Sequence, residues 1–334
     1  MNPVLDRSMA PFRNLGGWLQ EHAAPVAASA QEHHGEAAAA GEHAEEWGTE
    51  VMMHHVVDSN IWEFKPFGEI HLPEFPPLPF EIAGHPIDLS ITKHVLFLMF
   101  ATVLTIVTMF LAARSTERLE EGEKAPGGLL NGIEAFYLYL RDDVVMANIG
   151  RGGERFVPLV ITFFFFILYA NLLGLIPFGA TATGNIMVTA ALANIALVVI
   201  ETAGFIALGP LGYAKTVFFL PPGLPGPLKP VTLLIMAPVE LIAKFSKIMA
   251  LAIRLFANMT AGHFVILAFM GLILTYGSMV GQGIFGTTVG AATILGSMGL
   301  ALFVMMLEIF IALLQAYIFA MLVSVFIGLI RHAH

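Results

Sequence analysis

Cysteine is absent from all 334 residues. That excludes disulfides, thiolate metal sites and cysteine nucleophiles. Charge is scarce as well: Asp, Glu, Lys and Arg make up 12% of the chain, against 57% hydrophobic residues and a mean hydropathy of +0.78. Such a composition excludes an ordinary soluble domain and indicates an integral membrane protein. Only 16 residues are Lys or Arg, and they form no basic face of the kind that nucleic acid requires. Neither an H-E-x-x-H zinc motif nor a G-x-S-x-G nucleophile motif occurs. The tail histidines (His33, His34, His43, His54, His55) lack a metal-ligand spacing. No metal, cofactor or catalytic activity of the chain's own is therefore expected.

The net charge of −9 is unevenly spread, with much of the acid in the first 91 residues and in 117–123. Residues 1–50 are rich in Ala, Glu and His and read as a flexible extension, with a short helix at 11–22. Ala23-Ala24-Pro25-Val26-Ala27-Ala28-Ser29-Ala30 resembles a small-residue cleavage region. No continuous apolar run precedes it, so processing is not expected. Residues 51–91 set Trp62, Phe64 and Phe67 among six prolines, as in an irregular extracytoplasmic segment lying on the membrane surface.

The helical membrane domain is read as 92–334, an all-α fold with about five spans at 92–113, 156–176, 188–208, 231–275 and 288–330. The first three match the ~20 residues that cross a bilayer core; the last two are about twice as long and must tilt steeply or run partly in the membrane plane. Residues 127–150 mix apolar groups with Glu134, Arg141, Asp142 and Asp143, which suits an interfacial amphipathic helix. The proline-rich loop at 221–227 marks a turn. Basic residues gather in 114–155, in 209–230 and at Arg331, whereas 177–187 and 276–287 have none. The positive-inside rule then puts the N-terminus outside and the C-terminus in the cytoplasm, a parity that five spans satisfy.

Within this apolar stretch Arg254 stands out. A guanidinium at the centre of a membrane helix costs ~2.5–3.5 kcal/mol on insertion scales. It cannot be neutralised, because its pKa exceeds ~12. Few acids of this chain lie at matching depth, so the partner is sought in another subunit. Glu240, Lys247 and Arg254 are spaced by sevens and share one helical face, which Asn258 continues. His263 follows nine residues after Arg254. In the last span Glu308 and Gln315 are also seven apart. Antiparallel packing would form two tiers, Arg254 with Gln315 and His263 with Glu308. An imidazole and a desolvated carboxyl group suit a proton relay, whereas Arg254 can only hold an approaching carboxylate ionised. Blander readings stand beside these. Glu240, Lys244 and Lys247 could form an interfacial face with an i,i+4 pair, Gln315 could be interhelical glue, and His263 and Glu308 a structural pair.

Arg254-Leu255-Phe256-Ala257-Asn258-Met259-Thr260-Ala261-Gly262-His263 resembles the signature of subunit a of F-type ATP synthases, R-L-F-G/A-N-M/I-x-A/S-G-E/H. Leu314-Gln315-Ala316-Tyr317-Ile318-Phe319 is similar to that family's final-helix motif, and Asn171-Leu172-Leu173-Gly174-Leu175-Ile176-Pro177 to its N-L-L/M-G-L-I/L-P segment. The match runs in order over about 50–330. The resemblance implies a non-catalytic, multi-pass subunit of a bacterial cytoplasmic membrane, packed against a ring of c subunits and joined to subunit b and the peripheral stalk. Two offset half-channels would pass protons to and from the ring's carboxylates, with Arg254 as the essential charge between them. Asn258, His263, Glu308 and Gln315 would line the outer path, with Asn171 beside it, and Glu240 the cytoplasmic half-channel. The two long helices would face the c-ring.

The best-known bacterial pattern has Glu where this chain has His263 and His where it has Glu308; the exchange matches mitochondrial relatives and suits protons as the coupling ion. Some relatives carry acids at the position of Gly174 and near Asn185, and Glu201 matches no family residue. A different class of function, a stand-alone secondary transporter with Arg254 as substrate clamp, would call for an internal repeat or broken half-helices, and neither is evident.

Overall fold

The computed structural model describes residues 58–64, 68–75, 81–82, 85–86, 90–120, 129–176, 179–218, 229–277, 280 and 283–332, all within one compact unit. The expectations for the tail 1–50, its cleavage-like region and histidines, His54 and His55, Phe67 and the loop 221–227 fall outside the described residues.

The segment before the first span is more ordered than its prolines imply. Strands β1 (Ile61–Phe64) and β2 (Gly68–His71) pair antiparallel, and β3 (Glu81–Ile82) pairs with β4 (His85–Pro86). The irregular reading of this stretch is thereby corrected. Trp62 stacks edge-on against Phe97 of the first helix, with centroids 5.3 Å apart.

Six helices follow. They are α1 (Lys93–Glu120), α2 (Leu129–Tyr139), α3 (Val157–Gly174), α4 (Ile186–Val217), α5 (Lys229–Gly277) and α6 (Gly283–Arg331). All but α2 contain stretches long and apolar enough to cross a membrane. The molecule is an all-α membrane protein, with five such helices among the described residues and the short strands ahead of the first of them. After α2 the chain runs through a π-helical stretch, Leu140–Met146, and a last turn, Ala147–Ile149. Asn185 caps α4, its side chain accepting from the Met187 amide at 2.9 Å. Helix α4 is broken at Gly209 (φ 69°, ψ 174°), a conformation that glycine tolerates and that Pro210 then follows.

Helices α5 and α6, each 49 residues, are ~74 Å long at 1.5 Å per residue, more than twice the ~30 Å hydrocarbon core. They are antiparallel. A Cβ on Gly290 would sit 2.9 Å from the Tyr276 carbonyl oxygen, and one on Gly262 would meet the Glu308 side chain. On α5 the residues Ile248, Leu251, Ala252, Leu255 and Met259 form a buried stripe at helical spacing. On α6 the stripe is Glu308, Ala312, Gln315, Ala316, Phe319, Ala320, Val323 and Ile327.

Lipid tails are as apolar as leucine, so helices in a bilayer are held by close packing more than by water exclusion. Small residues supply it here. Gly204 of α4 lies against Ile330, and Gly328 of α6 against the backbone carbonyl of Asn148. The aromatic run of α3 fills the centre, with Phe164 tilted against Phe136 (centroids 5.1 Å apart) and Phe163 tilted against Phe319 (5.3 Å). Thr108 and Tyr169 tie α1 to α3 through their hydroxyls at 2.7 Å.

Candidate functional site

The α5–α6 seam organises two polar regions on either side of Arg254. Toward the C-terminal half of α5, Gly262 lies directly under the Glu308 carboxyl group, in the space where any other residue would carry its Cβ. Both Glu308 oxygens are buried without a hydrogen-bond partner among the described residues, and so is the Thr260 hydroxyl. His263, next along, brings Nδ1 to 3.4 Å from the Thr181 hydroxyl, which also donates to the Gly174 carbonyl at 3.4 Å. Thr183 donates to Asn171 Oδ1 at 2.7 Å, leaving the Asn171 amide nitrogen buried and unpartnered. A single 3-10 turn, Ala182–Gly184, positions these threonines between α3 and α4. The turn approaches so closely that a Cβ on Gly174 would stand 2.7 Å from Thr181 Oγ1. Sequence reasoning missed Thr181, Thr183, Thr260 and Gly262; the glycine inside an otherwise strong helix was the available signal.

The same contact sets the register of the two long helices. Stepping eight residues back along α5 from Gly262, and eight on along α6 from Glu308, brings Arg254 level with Ala316, beside Gln315. The two share a level but not a bond. Gln315 is buried in the α6 stripe, whereas Arg254 is exposed and makes no hydrogen bond or ion pair with any described residue. Asn258 is half-buried one turn away. Around Arg254 the exposed face of α5 is small: Ser246, Ala250, Ala257 and Ala261 follow at spacings of three to four residues or their multiples. Such a face admits close approach by another helix.

Toward the N-terminal half of α5, helices α4, α5 and α6 enclose a cavity of about 970 Å³. Its titratable lining is Glu201 and Lys215 from α4, with Glu240, Lys244 and Lys247 from α5. The i,i+4 pair entertained for Glu240 and Lys244 is not formed. Lys244 instead reaches Glu201 at 3.1 Å, and the Tyr213 hydroxyl donates to the same carboxylate. The break at Gly209 makes this possible. Residues twelve apart on a straight helix would be ~18 Å apart along its axis, yet Tyr213 folds back onto Glu201. Lys247 sits 5.6 Å from the centre of the Phe326 ring. Glu240 makes no hydrogen bond or ion pair with any described residue. Among the described residues no group of three His, Asp or Glu side chains is arranged to hold a metal ion.

Comparison with known proteins decides the family. The model of the family described as "ATP synthase A chain" matches residues 95–328, from α1 to near the end of α6.

The chain belongs to that family.

Similar proteins include ATP synthase subunit a of Pelodictyon phaeoclathratiforme, 42% identical over 88% of this chain and 79% of the relative. ATP synthase subunit a 2 of Chlorobaculum tepidum is 41% identical over 92% of this chain and 79% of its own length. ATP synthase subunit a of Anaeromyxobacter dehalogenans is 38% identical over 98% and 81%. The family's members are non-catalytic membrane subunits of the ATP synthase complex. The other subunits of that complex are the partners membership implies, and Arg254, Gly262, His263, Glu308 and Gln315 all fall inside the matched span.

Proposed function

We propose that this chain is the stationary proton-conducting subunit of the synthase, lying between two offset aqueous half-channels and a rotating ring of c subunits in a bacterial cytoplasmic membrane. The observation that carries the reading is Arg254: a permanent cation on an exposed apolar helix face, with no partner among the described residues and polar regions to either side along the same helix. A charge so placed needs an anion from another subunit, and a ring carboxylate is the chemistry that fits.

In this reading protons enter from outside through the cluster of Asn171, Thr181, Thr183, His263 and Glu308. Buried polar atoms without protein partners are those that water bonds. The unpaired Glu308 oxygens, Thr260 hydroxyl and Asn171 amide thus provide a hydrated route past Gln315 and Asn258 toward the ring. His263 and Glu308, at one level of the seam, can each take and give a proton. A protonated ring carboxylate is neutral and tolerates lipid. On reaching Arg254 from the cytoplasmic side it must be ionised, because a nearby cation favours its charged form. The released proton leaves through the cavity holding Glu240. The fixed guanidinium prevents direct passage between the two routes, so the proton must travel with the ring. The N-terminus lies outside and the C-terminus in the cytoplasm, and subunit b and the peripheral stalk hold the chain still.

The test uses inverted membrane vesicles carrying the intact complex. Arg254→Ala is expected to abolish ATP-driven proton pumping with assembly unchanged. After the peripheral catalytic sector is stripped, passive proton leak should persist or increase. Normal pumping by this variant would overturn the assignment.

A further inference from the structure

We propose that Glu201, with Tyr213, is a clamp that holds Lys244 away from Glu240 and so keeps Glu240 free to exchange protons in the cytoplasmic-side cavity. This rests on the function proposed above and assigns a positioning role to a residue that the family pattern leaves unexplained.

Glu240 and Lys244 are four residues apart on α5, Glu first, which is the favoured arrangement for an intrahelical ion pair. In a cavity with apolar walls of Leu197, Ile200, Phe326 and Ile330, such a pair is less screened by water than on an open surface. Yet it does not form. Lys244 crosses to α4 and meets Glu201 at 3.1 Å, with its ammonium 4.9 Å from the centre of the Tyr213 ring. Tyr213 donates its hydroxyl to the same carboxylate oxygen. Glu201 thus has two partners, the lysine has a carboxylate and an aromatic face, and Glu240 has neither hydrogen bond nor ion pair with any described residue.

The other groups around the cavity do not replace this arrangement. Lys247 is drawn to the Phe326 ring, and Lys215 stands on α4 beyond the Gly209 break. Helix α6 lines the cavity with Phe326, Leu329 and Ile330 and no titratable side chain. Lys244 is therefore the cation whose position Glu201 controls. Without the clamp its nearest alternative carboxylate on α5 is Glu240, and a paired carboxylate binds a proton only at lower pH.

The experiment follows ATP-driven proton uptake by inverted vesicles of the intact complex as a function of external pH, which is then the cytoplasmic-side pH. Glu201→Gln is expected to displace the acid-to-neutral limb of the profile by about one unit toward lower pH. The double variant Glu201→Gln with Lys244→Met should return the profile toward wild type, because the released lysine is gone. A purely structural Glu201 predicts lower assembly with an undisplaced profile, and no rescue by the second change; that result overturns the inference. If Glu201→Gln fails to assemble, Glu201→Asp, one methylene shorter, carries the same expectation. Glu240→Gln separates the two levels of the argument. If Glu240→Gln impairs pumping while Glu201→Gln leaves the profile in place, the clamp alone is refuted. If Glu240→Gln pumps as wild type at every pH, Glu240 is not on the path, and its assignment falls together with the clamp.

Discussion

A methyl group at position 262 would fall on the Glu308 carboxyl group. The smallest possible substitution there is thus a test of the whole outer path. Gly262→Ala must push Glu308 aside, and overpacking of this kind costs ~1–3 kcal/mol. Pumping is expected to fall about tenfold or more, the rate change that ~1.4 kcal/mol of displaced geometry produces. Gly299→Ala is the control, since a Cβ there meets nothing within 4 Å. Initial rates of ATP-driven acidification, normalised to assembled complex, check the pair; equal rates would mean that the position of Glu308 does not matter. Gly262 is part of the signature motif, but the sequence alone shows only a glycine in a helix. Its reason lies 46 residues away, on another helix.

The elements differ in how far their sequences announce them. The two long helices were legible, as spans 231–275 and 288–330, because each is an apolar run about twice the length that crosses a bilayer, with polar residues at intervals of seven. The levels follow the spacing, with Glu308 against Gly262, one residue before His263, and Arg254 beside the level of Gln315. The pairs expected at those levels are not hydrogen-bonded: His263 meets Thr181, and both Glu308 oxygens lack a partner among the described residues. What could not be read was direction around the axis, and so the burial of Gln315 and the exposure of Arg254. Nor could the choice of Lys244 between two carboxylates, since Glu240 is four residues away and Glu201 is 43. The hairpins escaped because strands of two to four residues are too short to establish an alternating pattern.

One of those hairpins is tied to α1 by Asp58, which accepts from the His94 amide at 3.2 Å and lies 3.3 Å from the His94 ring. Burial pushes the Asp58 carboxyl group up, but hydrogen bonds and charge from His94, with a further bond from Thr92, outweigh it and hold the group below the usual carboxylate range. A lowered folded value means that the tie is fully present above the ordinary carboxylate pKa of about 4 and is lost as pH falls through the lower, folded value. Hydrogen exchange at the His94 amide, corrected for intrinsic rate, should stay slow from neutral pH down to about 4 and quicken below it. Asp58→Asn should quicken it at neutral pH.

Taken as a whole, the molecule keeps its two polar regions apart along one helix and leaves its strongest charge facing outward between them. From Arg254 it is ~21 Å along the axis to Glu240 and ~12 Å to Gly262, at 1.5 Å per residue. The two polar regions do not adjoin at Arg254, and on the function proposed above both are served by a partner that moves past the outer face of α5. The small residues of that face, Ala250, Ala257 and Ala261, leave room for it.

The exposed guanidinium has a consequence for the cell's handling of the newly made chain. Before it meets its partner it faces lipid, at a cost of ~2.5–3.5 kcal/mol. Docking against a carboxylate relieves that cost, a bias of roughly 100-fold or more toward the assembled form. Unassembled copies should therefore be conspicuous: hydrated and locally thinning the bilayer, they are natural clients of membrane proteolysis. In cells lacking the c subunit, pulse-chase labelling should find the wild-type chain shorter-lived than Arg254→Ala, reversing their ranking in function. On the function proposed above, the charge that serves the assembled complex also makes an unassembled copy perishable, and so would help to match the supply of this subunit to that of its partner.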